Sequence, residues 1–139
     1  MATEEEKKKA YEEEKKKAEE IFRAAAVGSV ETLKQCVHDY LHDDYKQVLG
    51  YKDGNGRTPL HFAAHSGQVK MCQLLCEKCE IDWKADSLLD GEGFSPLALA
   101  IRSGHMDVVN VFLDNGVIVD DTIISPTSLF QAAGSGNVD

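Results

Sequence analysis

The sequence predicts an all-α solenoid, a row of helical hairpins joined by tight turns, none of which can bury its apolar face alone. Three observations carry that prediction. A grammar of Thr/Ser-Pro-Leu, small residues and a closing glycine appears as GNGRTPLHFAAHSG at Gly54–Gly67 and as GEGFSPLALAIRSG at Gly91–Gly104. A worn copy, TSLFQAAGSG, runs from Thr127 to Gly136. The glycines that close these stretches, together with Gly28, lie 39, 37 and 32 residues apart (Gly28, Gly67, Gly104, Gly136), and a period in the thirties is the mark of stacked repeats. After Gly67 and Gly104, apolar residues return at helical spacing in VKMCQLLCEK and MDVVNVFLDN.

Taken in order, residues 1–20 form a charged arm. EEEKKKAYEEEKKKAEE over residues 4–20 has no glycine, proline or β-branched residue, and each Glu block precedes a Lys block. Glu5–Lys9 and Glu13–Lys17 therefore fall at i,i+4 in the favourable order. The segment is helical by propensity with almost nothing to bury. It reads either as an interaction arm or as a solvated lead-in helix. From Ile21 the character changes. Residues 21–41 read as a short helix, a turn at Gly28 and a second helix reaching toward Tyr40, a hairpin without a leading turn. Residues 53–84 and 90–120 are full units, and residues 121–139 are the first part of another. In each full unit Asp53-Gly54-Asn55-Gly56 or Asp90-Gly91-Glu92-Gly93 makes a reverse turn. Thr58 or Ser95 then caps the helix, with proline at its first position where no amide donor is missed. Leu60 and Leu97 point inward, the alanines allow close packing, and the glycine stops the first helix in the left-handed conformation.

These residues resemble the ankyrin repeat, whose Thr-Pro-Leu-His-x-Ala signature stands nearly complete at Thr58–Ala63. The resemblance covers everything but the arm. It implies an ankyrin-repeat solenoid that acts as an adaptor or scaffold and docks a partner protein on its turn tips and on the exposed face of its first helices. It also implies that His61 hydrogen-bonds near the helix cap, whereas Ala98 and Phe130 stand at that position in the later copies. Cys79 replaces the glycine that normally ends the second helix. The links before Asp53 and Asp90 exceed the family period. Because the second helix due after Asp139 is missing, the residues read as the N-terminal part of a longer protein. An alternative reading makes them the targeting or regulatory arm of a larger enzyme or co-chaperone.

Catalytic and cofactor motifs fail on inspection. Cys72-x3-Cys76-x2-Cys79 invites zinc, but Cys72 and Cys76 align with Val109 and Leu113 on an apolar stripe, where cysteine behaves as a small hydrophobe. His38-Asp-Tyr-Leu-His42 echoes a metalloprotease helix with the wrong acid and no third ligand. GNGRTP has proline where a dinucleotide loop needs its third glycine, and Arg57 spoils a calcium loop. The expectation is no enzyme activity, no metal and no cofactor.

Formal net charge is −9, the wrong sign for nucleic acid and a match for a basic or apolar segment of a partner protein. No apolar run approaches the roughly 20 residues of a membrane span. The chain reads as a monomeric cytosolic or nuclear protein with reduced thiols at Cys36, Cys72, Cys76 and Cys79. Candidate partner-binding residues are Asn55, Arg57, Glu92 and Phe94 at the turn tips, with Phe62, His65 and Ser66, then Leu99, Arg102 and Ser103, on the first helices. Leu88 and Leu89 add a hydrophobic lip, unless that loop folds back on its own repeat or downstream residues cover it. Ile123 and Ile124 hold the corresponding place in the next unit. Trp83 reads as packing at a repeat seam.

Overall fold

The computed structural model describes residues 3–83 and 85–117. The third copy of the motif, with Ile123, Ile124 and Phe130, lies outside them. The described residues form helices and turns with no strand. Six α-helices pair into three hairpins: α1 (Glu4–Val27) with α2 (Val30–Leu41), α3 (Pro59–His65) with α4 (Val69–Lys78), and α5 (Pro96–Arg102) with α6 (Met106–Asp114). Two short 3-10 turns, Tyr45–Gly50 and Asp86–Leu88, lie in the links. First helices pack in one row, α1 on α3 on α5. Second helices pack in another, α2 on α4 on α6.

Local chemistry accounts for the helix ends. Thr3 caps α1 by accepting from the Glu6 N–H, and three glutamates occupy the first turn, where the helix dipole favours negative charge. No breaker occurs before Gly28, so the charged segment and the first hairpin helix run together as one helix of 24 residues. Gly28 ends it at φ 78°, the left-handed conformation that a side chain disfavours. A Cβ there would also displace the Gln68 amide, which lies where it would stand. That amide donates to the Ala26 carbonyl at 3.0 Å, tying the second hairpin to the first. Helix α2 ends without glycine. His42 and Asp43 take φ 52° and 64° instead. Cys79 needs no glycine because α4 leaves in extended backbone, φ −96°.

The core lies between the rows. Ile21, Leu60 and Leu97 occupy the same place in successive repeats and are fully buried, as are Ala25, Ala63, Ala64 and Ala100. Alanine lets the helices approach closely. The lengthened link before Asp53 is not loose, since Val48 is buried and Tyr45, Leu49 and Tyr51 pack against the core. Leu88 is likewise buried in that core and Leu89 is half-buried, so the loop before Asp90 folds back on its own structure. Trp83 sits at the seam expected of it: its Nε1–H donates to the Asn115 carbonyl at 3.3 Å, and its ring lies 5.2 Å from Phe112.

Candidate functional site

The two turns before α3 and α5 are built alike. Asp53 takes its carboxylate to the Asn55 and Arg57 N–H groups, both at 2.9 Å. Asp90 does the same for Glu92 and Phe94, at 2.9 and 2.8 Å. The turns then stack. The Gly91 N–H donates to the Asn55 carbonyl at 2.7 Å, and Gly56, at φ 75°, leaves no space for a Cβ against the Gly91 nitrogen. Arg57 Nε reaches Asp90 Oδ2 at 3.4 Å, and that carboxylate is almost wholly buried.

His61 binds the same seam from below. The Thr58 N–H donates to its Nδ1 at 3.0 Å, and the Thr58 hydroxyl lies 2.9 Å from the same atom. Because Nδ1 accepts, Nε2 carries the proton and donates it to the Phe94 carbonyl, 2.8 Å away in the next repeat. Burial above all pushes the His61 pKa down. Its bond to Phe94 and the nearby Asp90 oppose that, less strongly. The ring is therefore neutral, and it couples a helix cap to the neighbouring turn. Ala98 cannot repeat this.

The first helices and stacked turns form a ledge. His65, Ser66 and Arg102 are exposed on it, Ser103 is half-exposed, and the His65 ring meets the Ser103 hydroxyl at 3.0 Å. Asn55 and Glu92 are exposed at the tips. The expected exposure changes at five positions. Leu99 and Phe94 are buried, at 3% and 4% exposure, together with Ala98. The Phe94 backbone is held at both ends, by Asp90 and by His61, and its ring lies under the Arg102 guanidinium at 4.5 Å. Phe62 is half-buried because its ring meets Phe22 edge-on at 5.3 Å. No continuous Phe62–Leu99 strip is therefore open. Leu88, offered as a lip, belongs to the core. Arg57 is half-buried and engaged with Asp90.

The remaining side chains resolve similarly. Cys72, Cys76 and Cys79 line the α4 side of the core, and burial pushes each thiol up to about 12. Cys79 Sγ–H donates to the Tyr45 carbonyl at 3.1 Å. No group of three or more metal-ligating side chains converges among the described residues. His38 pairs with Asp43 at 3.2 Å, and His42 only caps α2. At the arm, the Tyr40 O–H donates to Glu20 at 2.6 Å, a bond that raises the tyrosine pKa to about 12. Lys17 pairs with Glu14 at i,i+3, where Glu13 was the expected partner. Sequence reasoning missed the Arg57–Asp90 tie and the Glu20–Tyr40 bond. Both cross between elements, and no local spacing signals them.

A row of helical hairpins with stacked turns and an open ledge defines a repeat scaffold of the docking class. A family model of ankyrin repeats, in three copies, matches residues 21–123, and the chain belongs to the ankyrin-repeat family. Among its relatives, 26S proteasome non-ATPase regulatory subunit 10 of Dictyostelium discoideum is 37% identical over 65 residues, covering 47% of this chain and 27% of that protein. Ankyrin repeat and SAM domain-containing protein 6 of Rattus norvegicus is 31% identical over 100 residues, 72% of this chain and 10% of its own length. Transient receptor potential cation channel subfamily A member 1 of Homo sapiens is 33% identical over 85 residues, 61% of this chain and 8% of its own. The chain thus spans about a quarter or less of these relatives. Ankyrin repeats are, as a class, protein-interaction modules. No helix among the described residues is long and apolar enough to cross a membrane.

Proposed function

We propose that the chain is a non-enzymatic adaptor that holds a partner protein of the cytoplasm or nucleus on the ledge formed by α3, α5 and their leading turns. The observation that carries this is the division of labour along the repeats. Most apolar groups and the buried polar ones are consumed in stacking, while His65, Ser66, Arg102, Asn55 and Glu92 remain exposed along α3, α5 and their leading turns. Binding needs no cofactor and no covalent step. Affinity comes from a few anchors on a preformed surface, which loses little entropy on docking.

The short coverage of its relatives supports a second reading, in which these repeats target a larger enzyme or co-chaperone to its client. Both readings put the contact on the ledge. They are tested together by cross-linked capture from the source cells, comparing the unaltered chain with His65→Glu/Arg102→Glu. Circular dichroism stays helical and the captured partner is lost from the variant. A control with Lys34→Glu/Lys70→Glu on the second helices keeps it. Equal capture by the ledge variant and the control refutes the ledge.

A further inference from the structure

We infer that the helical arm is an interface between two copies of this chain, which pair antiparallel about Ala10 and Tyr11. Read backwards, the arm is its own charge complement. If residue i of one arm faces residue 21 − i of the other, Glu4–Glu6 lie against Lys15–Lys17, and Lys7–Lys9 against Glu12–Glu14. Every charged residue from 4 to 17 then meets its opposite, and Ala10 meets Tyr11 at the centre. A parallel pair in register sets Glu on Glu and Lys on Lys instead, which repels. A parallel pair staggered by one block matches charges but runs head to tail and does not close.

The fold supplies what that pairing needs. Residues 4–16 are exposed at every position, and the stack first covers the arm at Lys17, whose ammonium lies 5.5 Å from the Tyr40 ring. Lys17 is also the residue that faces Glu4 in the antiparallel register. Charge and burial thus set the same length of free helix independently. Tyr11 is 69% exposed, more than any other large hydrophobic side chain among the described residues. With Lys7 and Glu14 it falls on the side of α1 that, further along, buries Ile21 and Ala25. Where the stack stops, a second arm takes up that side, and Ala10 is small enough to admit the partner's Tyr11 ring. Among the described residues one ion pair forms within the arm, Lys17 with Glu14, so its other lysines are open to a partner. Helix α1 runs unbroken from Glu4 into the stack, so the arm is already ordered and little freedom is lost on pairing. An interface this small and polar is weak, and the expected monomer holds only in dilute solution. The pair carries two ledges on one particle, which raises avidity for a partner with two binding segments.

The test is sedimentation equilibrium of the whole chain from about 20 µM to about 1 mM, a range that weak polar interfaces require. The unaltered chain dimerises reversibly, less so in about 0.5 M salt and severalfold less with Tyr11→Ala. Lys7→Glu/Lys8→Glu/Lys9→Glu and Glu12→Lys/Glu13→Lys/Glu14→Lys each dimerise about tenfold more weakly alone, or less. Mixed one to one, they restore every charge pair and associate as tightly as the unaltered chain. Single cysteines read the orientation. In the antiparallel pair residue 10 lies about 1.5 Å along the axis from its copy, and residue 4 about 20 Å from its own. Ala10→Cys therefore gives a disulfide-linked dimer under diamide and Glu4→Cys does not. A chain that stays monomeric to about 1 mM overturns the inference. So do triple variants that dimerise undiminished, a mixture that fails to recover, or equal cross-linking at residues 4 and 10. The ledge is tested separately, since His65→Glu/Arg102→Glu dimerises as the unaltered chain does.

Discussion

Replacing His61 by alanine should cost this chain more than any exposed change, and the amount can be worked from its bonds. The ring is fully buried. Its loss strands the Thr58 N–H, a buried polar group worth about 1–3 kcal/mol when left unsatisfied, takes from the Phe94 carbonyl one of its two donors, the other being the Asp90 N–H, and leaves a ring-sized cavity. A loss of about 3–5 kcal/mol is expected, large against the few kcal/mol that hold a small domain together. pH gives an independent signature. Burial holds the folded-state pKa below its ordinary 6.5, and a proton added at Nδ1 would break the bond from Thr58. The unfolded chain therefore takes up the proton first. The stability due to His61 is whole above about pH 6.5 and is lost as pH falls below it, by up to about 1.4 kcal/mol per pH unit. Urea melts followed by far-UV circular dichroism between pH 5 and 8 measure both effects. The other histidines are common to the unaltered chain and the variant, so the difference between the two slopes isolates His61. A cost under about 1 kcal/mol, or identical slopes, would refute the reasoning.

Three further outcomes follow from the same geometry. Gly56→Ala should destabilise by about 1–3 kcal/mol, because its φ is 75° and the new Cβ would stand 2.8 Å from the Gly91 nitrogen. Gly54→Ala meets nothing within 4 Å and should change the urea midpoint little, so equal effects at the two sites would deny that the turns stack. His42→Gly should stabilise by roughly 0.5–1 kcal/mol, since the left-handed backbone at φ 52° strains a side chain and not a glycine; a lower thermal midpoint counts against it. The thiols of Cys72, Cys76 and Cys79, raised to about 12, should react with a maleimide at pH 8 only as fast as the protein opens. Rapid native labelling of Cys76 would show that α4 is not packed as described.

The sequence by itself determined whatever depends on neighbours along the chain. Thr58-Pro59 and Ser95-Pro96 declared their helices, Asp53 and Asp90 their turns, and the Gly28, Gly67 and Gly104 spacing the repeat. Each is a contact within four or five residues or a period, which a linear reading can count. The candidate surface was legible only in part. His65, Ser66 and Arg102 stand exposed where the alignment put them, whereas Leu99, Phe94 and Leu88 are buried and Phe62 and Arg57 are engaged. Tertiary structure decided those, because a side chain's exposure depends on what the next repeat brings against it, some 33 positions away for His61 with Phe94 and Arg57 with Asp90.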